Sequence, residues 1–147
     1  MIILRSGVTG FQPAPNEDEK KFKQVCYALP DAKILEFIEE PPTKNYYECQ
    51  MIVAEKMIYI LLNKHYPFMA SVTHTNEMTF IHNRELMSFF GDYYNVLSPE
   101  QLREPIRYSQ NKNIVIHNEN TLHQAELKQL VYWKPRSVGE VVFNTWD

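Results

Sequence analysis

Apolar positions recur along the chain with two different periods, and the places where the period changes divide it into short elements. After a β-prone start at Ile2, Ile3 and Leu4, the Pro13-Ala14-Pro15 segment cannot continue as a helix. Asn16 can cap the next element, with Glu17, Asp18 and Glu19 in the first turn, where the helix dipole favours them. Phe22, Val25, Cys26 and Leu29 then recur at helical spacing until Pro30. Ile34, Leu35, Phe37 and Ile38 read as a strand that ends at Glu39-Glu40-Pro41-Pro42.

From Tyr47 through Met51, Ala54, Ile58 and Leu61 to His65 the apolar steps alternate between four and three, which predicts a helix of about 19 residues. Ile52, Val53, Met57, Ile60 and Leu62 widen its stripe almost all the way round. Two structures fit: a central helix contacted on several sides, or a buried strand at residues 57–62. A periodic segment this long favours the helix.

Residues 68–73 and 78–82 read as an antiparallel hairpin around a loop at residues 74–77. Asn83 caps a helix with Leu86, Met87, Phe89 and Phe90 on its apolar side, and Gly91 ends it. Ser98-Pro99 opens a further short helix that Pro105 stops. A polar turn at residues 110–113 precedes a strand at residues 114–117. Leu122, Ala125, Leu127, Leu130 and Val131 predict a helix over residues 121–133, closed by Lys134-Pro135. Ser137 and Glu140 have capping-box spacing ahead of a terminal amphipathic helix that carries Val141, Val142 and Trp146. The expected architecture is a single α+β domain over residues 1–147, with about four short, mostly antiparallel strands packed against several helices.

Composition adds limits rather than a signature. The chain has 147 residues, 44% hydrophobic and 22% charged, ordinary for one globular core. It has only 4 Gly against 9 Pro. Gly7-Val8-Thr9-Gly10, the one place where two glycines approach, lacks the Lys-Ser/Thr of a P-loop and the spacing of a dinucleotide fold. Nucleotide chemistry of those classes is excluded, and no cofactor is expected. A net charge of -3 argues against nucleic-acid partners. Only residues 103–136 lean basic, through Arg103, Arg107, Lys112, Lys128, Lys134 and Arg136. Cys26 and Cys49 form no CxxC pair and read as buried free thiols in a cytoplasmic protein. The longest apolar run, Met57 to Leu62, is six residues, against roughly 18 for a membrane span.

Two patterns remain as candidate chemistry. His74, His82 and His123 each precede a Glu by three residues and His117 precedes one by two, whereas chance gives about 1.2 such pairs. On a helix His123 and Glu126 share a face, and with His117 they form a candidate metal site for a metal-dependent or His-assisted hydrolase. The second pattern is aromatic: Tyr46-Tyr47, Phe89-Phe90, Tyr93-Tyr94 and Tyr132-Trp133 are adjacent pairs. Neighbouring helix positions point about 100° apart, so one ring of each pair can enter the core while the other faces out. Exposed Tyr and Trp beside Arg are enriched in interfaces. The reading favoured on sequence is a small non-enzymatic interaction module, binding another protein or itself through Tyr93, Tyr94, Tyr132 and Trp133 with Arg103 and Arg107 at the rim. A weaker alternative is a pocket for a small apolar ligand around Met51, Ile58 and Leu61.

Overall fold

The computed structural model describes residues 1–74, 77–110 and 114–147. Its chain order is α1 (Glu19–Ala28), β1 (Ala32–Phe37), β2 (Tyr46–Val53), β3 (Lys56–Asn63), β4 (Phe68–Val72), α2 (Arg84–Phe90), β5 (Asn95–Val96), α3 (Pro99–Leu102), β6 (Tyr108–Gln110), β7 (Ile114–Ile116), α4 (Gln124–Trp133) and α5 (Val138–Val142). Strands β1 to β5 form one mixed sheet in sequential order, and β6 pairs with β7 in a second. The first three pairings in the large sheet are antiparallel; β5, reached through α2, lies parallel to β4. The fold is mixed α+β, with seven strands and five helices among the described residues rather than about four strands.

The long helix expected over residues 47–65 is instead the central hairpin of the sheet. β2 and β3 pair in full register from Tyr46↔Asn63 to Val53↔Lys56. Ala54 and Glu55 make the turn, both at positive φ (50° and 66°). Tight hairpin turns of this kind usually carry Asn-Gly or Asp-Gly, and neither is present. The pattern misleads for a second reason: the sheet is covered on both faces. Cys49, Met51, Ile58, Ile60, Leu62 and Met69 join the core that includes Phe22, Val25 and Cys26 of α1 and Leu86 and Phe90 of α2. Leu61, Phe68, Ala70 and Val72 join the other core, with Leu4, Leu102, Leu130 and the α5 residues Val138, Val141 and Val142. A strand buried on both faces reads as a continuous apolar run, which matches a wide helical stripe.

Other boundaries shift for local reasons. Asp18, not Asn16, caps α1, its side chain accepting from the Lys21 N–H at 3.1 Å. Phe80 makes only an isolated bridge to Val72, so the expected second hairpin is one strand and a bridge; residues 75–76 of its loop lie outside the described residues. The polar turn expected at residues 110–113 falls mostly on 111–113, also outside them. Ser98 forms a full capping box with Gln101, as its spacing predicts. α5 ends at Val142, so Trp146 lies beyond the helix and not on it.

A buried polar network joins the sheet to the segments that cover it. Gly7 (φ 95°) and Gly10 (φ 89°) bend the N-terminal loop, and a Cβ on Gly7 would fall 2.3 Å from that of Ala14. The loop's Val8 carbonyl accepts from Asn45 Nδ2 (2.8 Å) and Asn63 Nδ2 (3.0 Å), and Asn63 Nδ2 also donates to Val142 O (2.7 Å). Asn63 Oδ1 accepts from the His65 and Tyr66 N–H groups at 2.8 and 3.0 Å. Asn144 donates its amide N–H to Asn45 Oδ1 (2.8 Å) and its Nδ2 to Thr9 O (3.2 Å) and Val141 O (2.9 Å). All three asparagines are buried. Each acts as a piece of backbone that satisfies irregular chain where no ladder is available.

Asn63→Ala removes two donated and two accepted hydrogen bonds at a fully buried position. It is expected to lower unfolding free energy by about 3 kcal/mol with an unchanged urea m-value. A loss below about 1 kcal/mol in urea titrations would show that the network adds little to stability.

Candidate aromatic interaction surface

The residues singled out on sequence fall into separate regions. Tyr94 is buried among the residues that pack with α1 and α2, so it is not a contact residue: the helix it follows turns its ring inward, and Lys21 covers that ring at 5.3 Å. Its hydroxyl has no hydrogen-bond partner, and burial, aided by the Glu17 charge, pushes it up to about 12. Tyr93 is exposed, with Phe89 5.7 Å away. The pair therefore splits between core and surface, in the turn that follows α2 rather than on a helix. Arg103 is tied to the Phe80 carbonyl (2.9 Å), and exposed Arg107 pairs with exposed Glu104 at 3.4 Å.

Tyr132 and Trp133 behave differently, because both are exposed at the end of α4. Lys134 closes that helix in the left-handed conformation, and its N–H donates to Leu130 O. Tyr132 is 76% exposed and meets Trp133 edge-on, with ring centroids 5.1 Å apart. Trp133 in turn stacks parallel on Trp146, at 6.2 Å and 3°. The Trp133 indole N–H donates to Gln129 Oε1 at 3.1 Å, which fixes its rotation. Trp146 is held from behind by its own N–H, bonded to Asn144 Oδ1 of the buried network.

Trp133 and Trp146 border a groove of about 250 Å³ that also takes in Tyr46, Met78, Lys134 and Glu140, and Tyr132 stands beside it against Trp133. Tyr108, on the edge of the small sheet, extends the aromatic rim, its hydroxyl donating to Pro135 O at 2.8 Å. Burial and then the Glu140 charge push that hydroxyl up to about 12, so it remains a donor throughout the neutral range. The sequence marks Lys134 only as part of a basic stretch and helix stop and Glu140 only by its capping-box spacing, so neither reads as a contact residue. The spacing places Trp146 on the terminal helix and carries no sign of its stacking on Trp133.

The candidate metal ligands have other duties. Glu126 is fully buried, and its carboxylate accepts from Gly7 N–H, from the Thr9 N–H and hydroxyl, and from His123 N–H. His123 Nδ1 accepts from Ala125 N–H, so the His/Glu spacing is the capping box of α4. His117 follows β7, is exposed, and donates its backbone N–H to Arg107 O at 2.8 Å. Among the described residues no three His, Cys, Asp or Glu side chains come together in a group able to hold a metal ion. Nor do Met51, Ile58 and Leu61 line a common pocket: Met51 and Ile58 belong to one core, Leu61 to the other, across the sheet. Comparisons with protein-family models, curated proteins and solved structures give no significant match.

Glu126→Gln keeps the shape but turns an amide donor toward groups that are themselves donors. It is expected to cost about 2–4 kcal/mol in thermal or urea unfolding. The cost should be the same with and without added Zn(II). A loss that appears only when the metal is present would instead make Glu126 a ligand.

Proposed function

We propose that this protein is a non-enzymatic interaction module that docks a protein partner on the aromatic groove at the end of α4. One observation carries the reading: Tyr132, 76% exposed, leans on a Trp133–Trp146 stack that is already fixed before any partner arrives. Large rings held rigidly in water favour binding, because they bury much area at little further cost in side-chain freedom.

The charges at the groove favour a second copy of the chain as the partner. Lys134 and Glu140 carry opposite signs on the same groove. A two-fold axis through such a patch brings each lysine to the other protomer's glutamate, so the surface is complementary to itself. The two buried, unbridged cysteines support a reducing, cytoplasmic setting. No helix among the described residues is long and apolar enough to cross a membrane.

Sedimentation velocity over a micromolar range should show a concentration-dependent shift from monomer to dimer. Tyr132→Ser, at a position too exposed to affect folding, should abolish that shift, and Lys134→Glu should weaken it, more so at low salt. A sedimentation coefficient that stays monomeric throughout would remove the self-association reading.

A further inference from the structure

A second cavity, of about 270 Å³, opens between α1, the loop after β1 and the adjoining ends of β2 and β3. Its walls combine the rings of Phe22, Phe37, Tyr46 and Tyr47 with three lysines and three glutamates. Phe22 stacks against Tyr47 (6.0 Å, 27°) and meets Phe37 edge-on (6.2 Å, 75°). Three ammonium groups stand over ring faces around it: Lys23 over Phe37, Lys44 over Tyr46 and Lys64 over Tyr47, at 5.4, 5.3 and 5.5 Å.

The three lysines are not equivalent. Lys44 is buried, paired with Glu48 at 2.9 Å, and donates to Ile38 O. Lys23 pairs with Glu19 at 3.7 Å. Lys64 belongs to neither pair, nor to Arg107–Glu104, the third ion pair among the described residues. Its backbone is nevertheless fixed: its N–H donates to Asn45 O (2.8 Å) and its carbonyl accepts from Glu17 N–H (2.6 Å). The ring beneath it is fixed too, through Tyr47 Oη to Glu17 O at 3.1 Å. Burial, then the nearby Lys44 charge, holds the Lys64 ammonium below the ordinary lysine range, with Glu19 and Glu39 partly opposing the shift. Lys64 is therefore a half-buried cation on a fixed backbone beside stacked rings, with Glu19 and Glu39 acting at longer range and no carboxylate within ion-pair distance among the described residues.

We propose that this cavity binds a small organic monocarboxylate with one apolar ring, its carboxylate on Lys64 and its ring against Tyr47, Phe22 and Phe37. Size supports a single ring, since drug-sized ligands occupy roughly 300–1,000 Å³. Charge supports a monoanion rather than a dianion: Glu19, Glu39 and Glu48 line the cavity against Lys23, Lys44 and Lys64, and the carboxylates would repel the second charge of a phosphate. A charge-assisted bond to a half-buried ammonium is stronger than its fully exposed counterpart.

Sodium benzoate is the probe, with benzyl alcohol and benzylamine as neutral and cationic compounds of the same ring, in ¹H–¹⁵N titrations of the whole chain. Benzoate is expected to give saturable shifts centred on the amides of Phe37, Ile38, Tyr46 and Tyr47, with the alcohol binding at least about tenfold more weakly. Lys64→Gln should raise the benzoate Kd about tenfold or more, Lys64→Arg should stay within about threefold, and Lys128→Gln should leave it unchanged. Shifts that do not saturate or that scatter over the surface overturn the proposal. So does equal binding of benzyl alcohol, or an unchanged Kd in a folded Lys64→Gln protein. If Lys64→Gln fails to fold, the comparison of benzoate with the alcohol on the unaltered chain decides alone.

Discussion

The N-terminal loop at residues 7–10 is held by a buried carboxylate and three buried asparagines, and the arrangement on one face of the sheet depends on that attachment. The elements covering that face are short: α3 has four residues and α5 has five. Helices of this length have no stability of their own in water and persist only through tertiary contacts. Apolar packing alone would leave their ends and the loop with unsatisfied backbone groups, at a cost of roughly 1–3 kcal/mol each. Glu126 resolves this at the start of α4, and Asn45, Asn63 and Asn144 resolve it where the sheet, the loop and the end of α5 meet. Gly7-Val8-Thr9-Gly10 does bind an anion through its amides, but the anion is the chain's own glutamate. Every member is satisfied by another, and for that reason losing any one of them exposes the rest.

The same network sets the geometry of the surface proposed to bind a partner. Asn144 is drawn out of the helical path by its bonds to Asn45 and Thr9, and α5 stops two residues before it. The chain can then turn so that Trp146, bonded back to Asn144 Oδ1, lies flat against Trp133. An exposed tryptophan at the end of a helix would ordinarily sample several rotamers. Here stacking on one side and the Gln129 bond on the other remove that freedom. The rigidity of the surface is a by-product of satisfying buried backbone elsewhere.

Local chemistry made much of the fold legible in the sequence. Caps at Asn83, Ser98 and Ser137 and the stops at Pro30, Gly91 and Pro135 identified helix ends, because these signals act within a few residues. Cys26 falls in the core on the apolar face of its helix, as its spacing requires. The central hairpin was misread because Ala54-Glu55 gives no turn signal and because both faces of β2 and β3 are buried, leaving no polar alternation. The candidate surfaces were only half visible. Tyr132 and Trp133 are neighbours in sequence, whereas Trp146 reaches them through the path of the chain after α5. The His/Glu spacing was real, but at α4 it reflects capping rather than coordination, and a single i, i+3 pair is the same in either role.

Lys44 and Lys64 show why residue type alone could not separate structure from function. Both are lysines near the end of the same hairpin, and both stand over a tyrosine of the pair Tyr46-Tyr47. Removing an ammonium from water is costly unless a counter-charge and further acceptors replace the solvent. For Lys44 the chain supplies both, in Glu48 and the Ile38 carbonyl, and the group is locked into the fold. For Lys64 it supplies an aromatic face and a fixed backbone but no carboxylate within ion-pair distance among the described residues. Successive side chains of β2 alternate between faces, so Tyr46 joins one core and Tyr47 packs against the other, while both lysines border the same cavity. One position completes its electrostatics within the protein; at the other Glu19 and Glu39 act only at longer range, and the proposed carboxylate ligand would supply the closer charge.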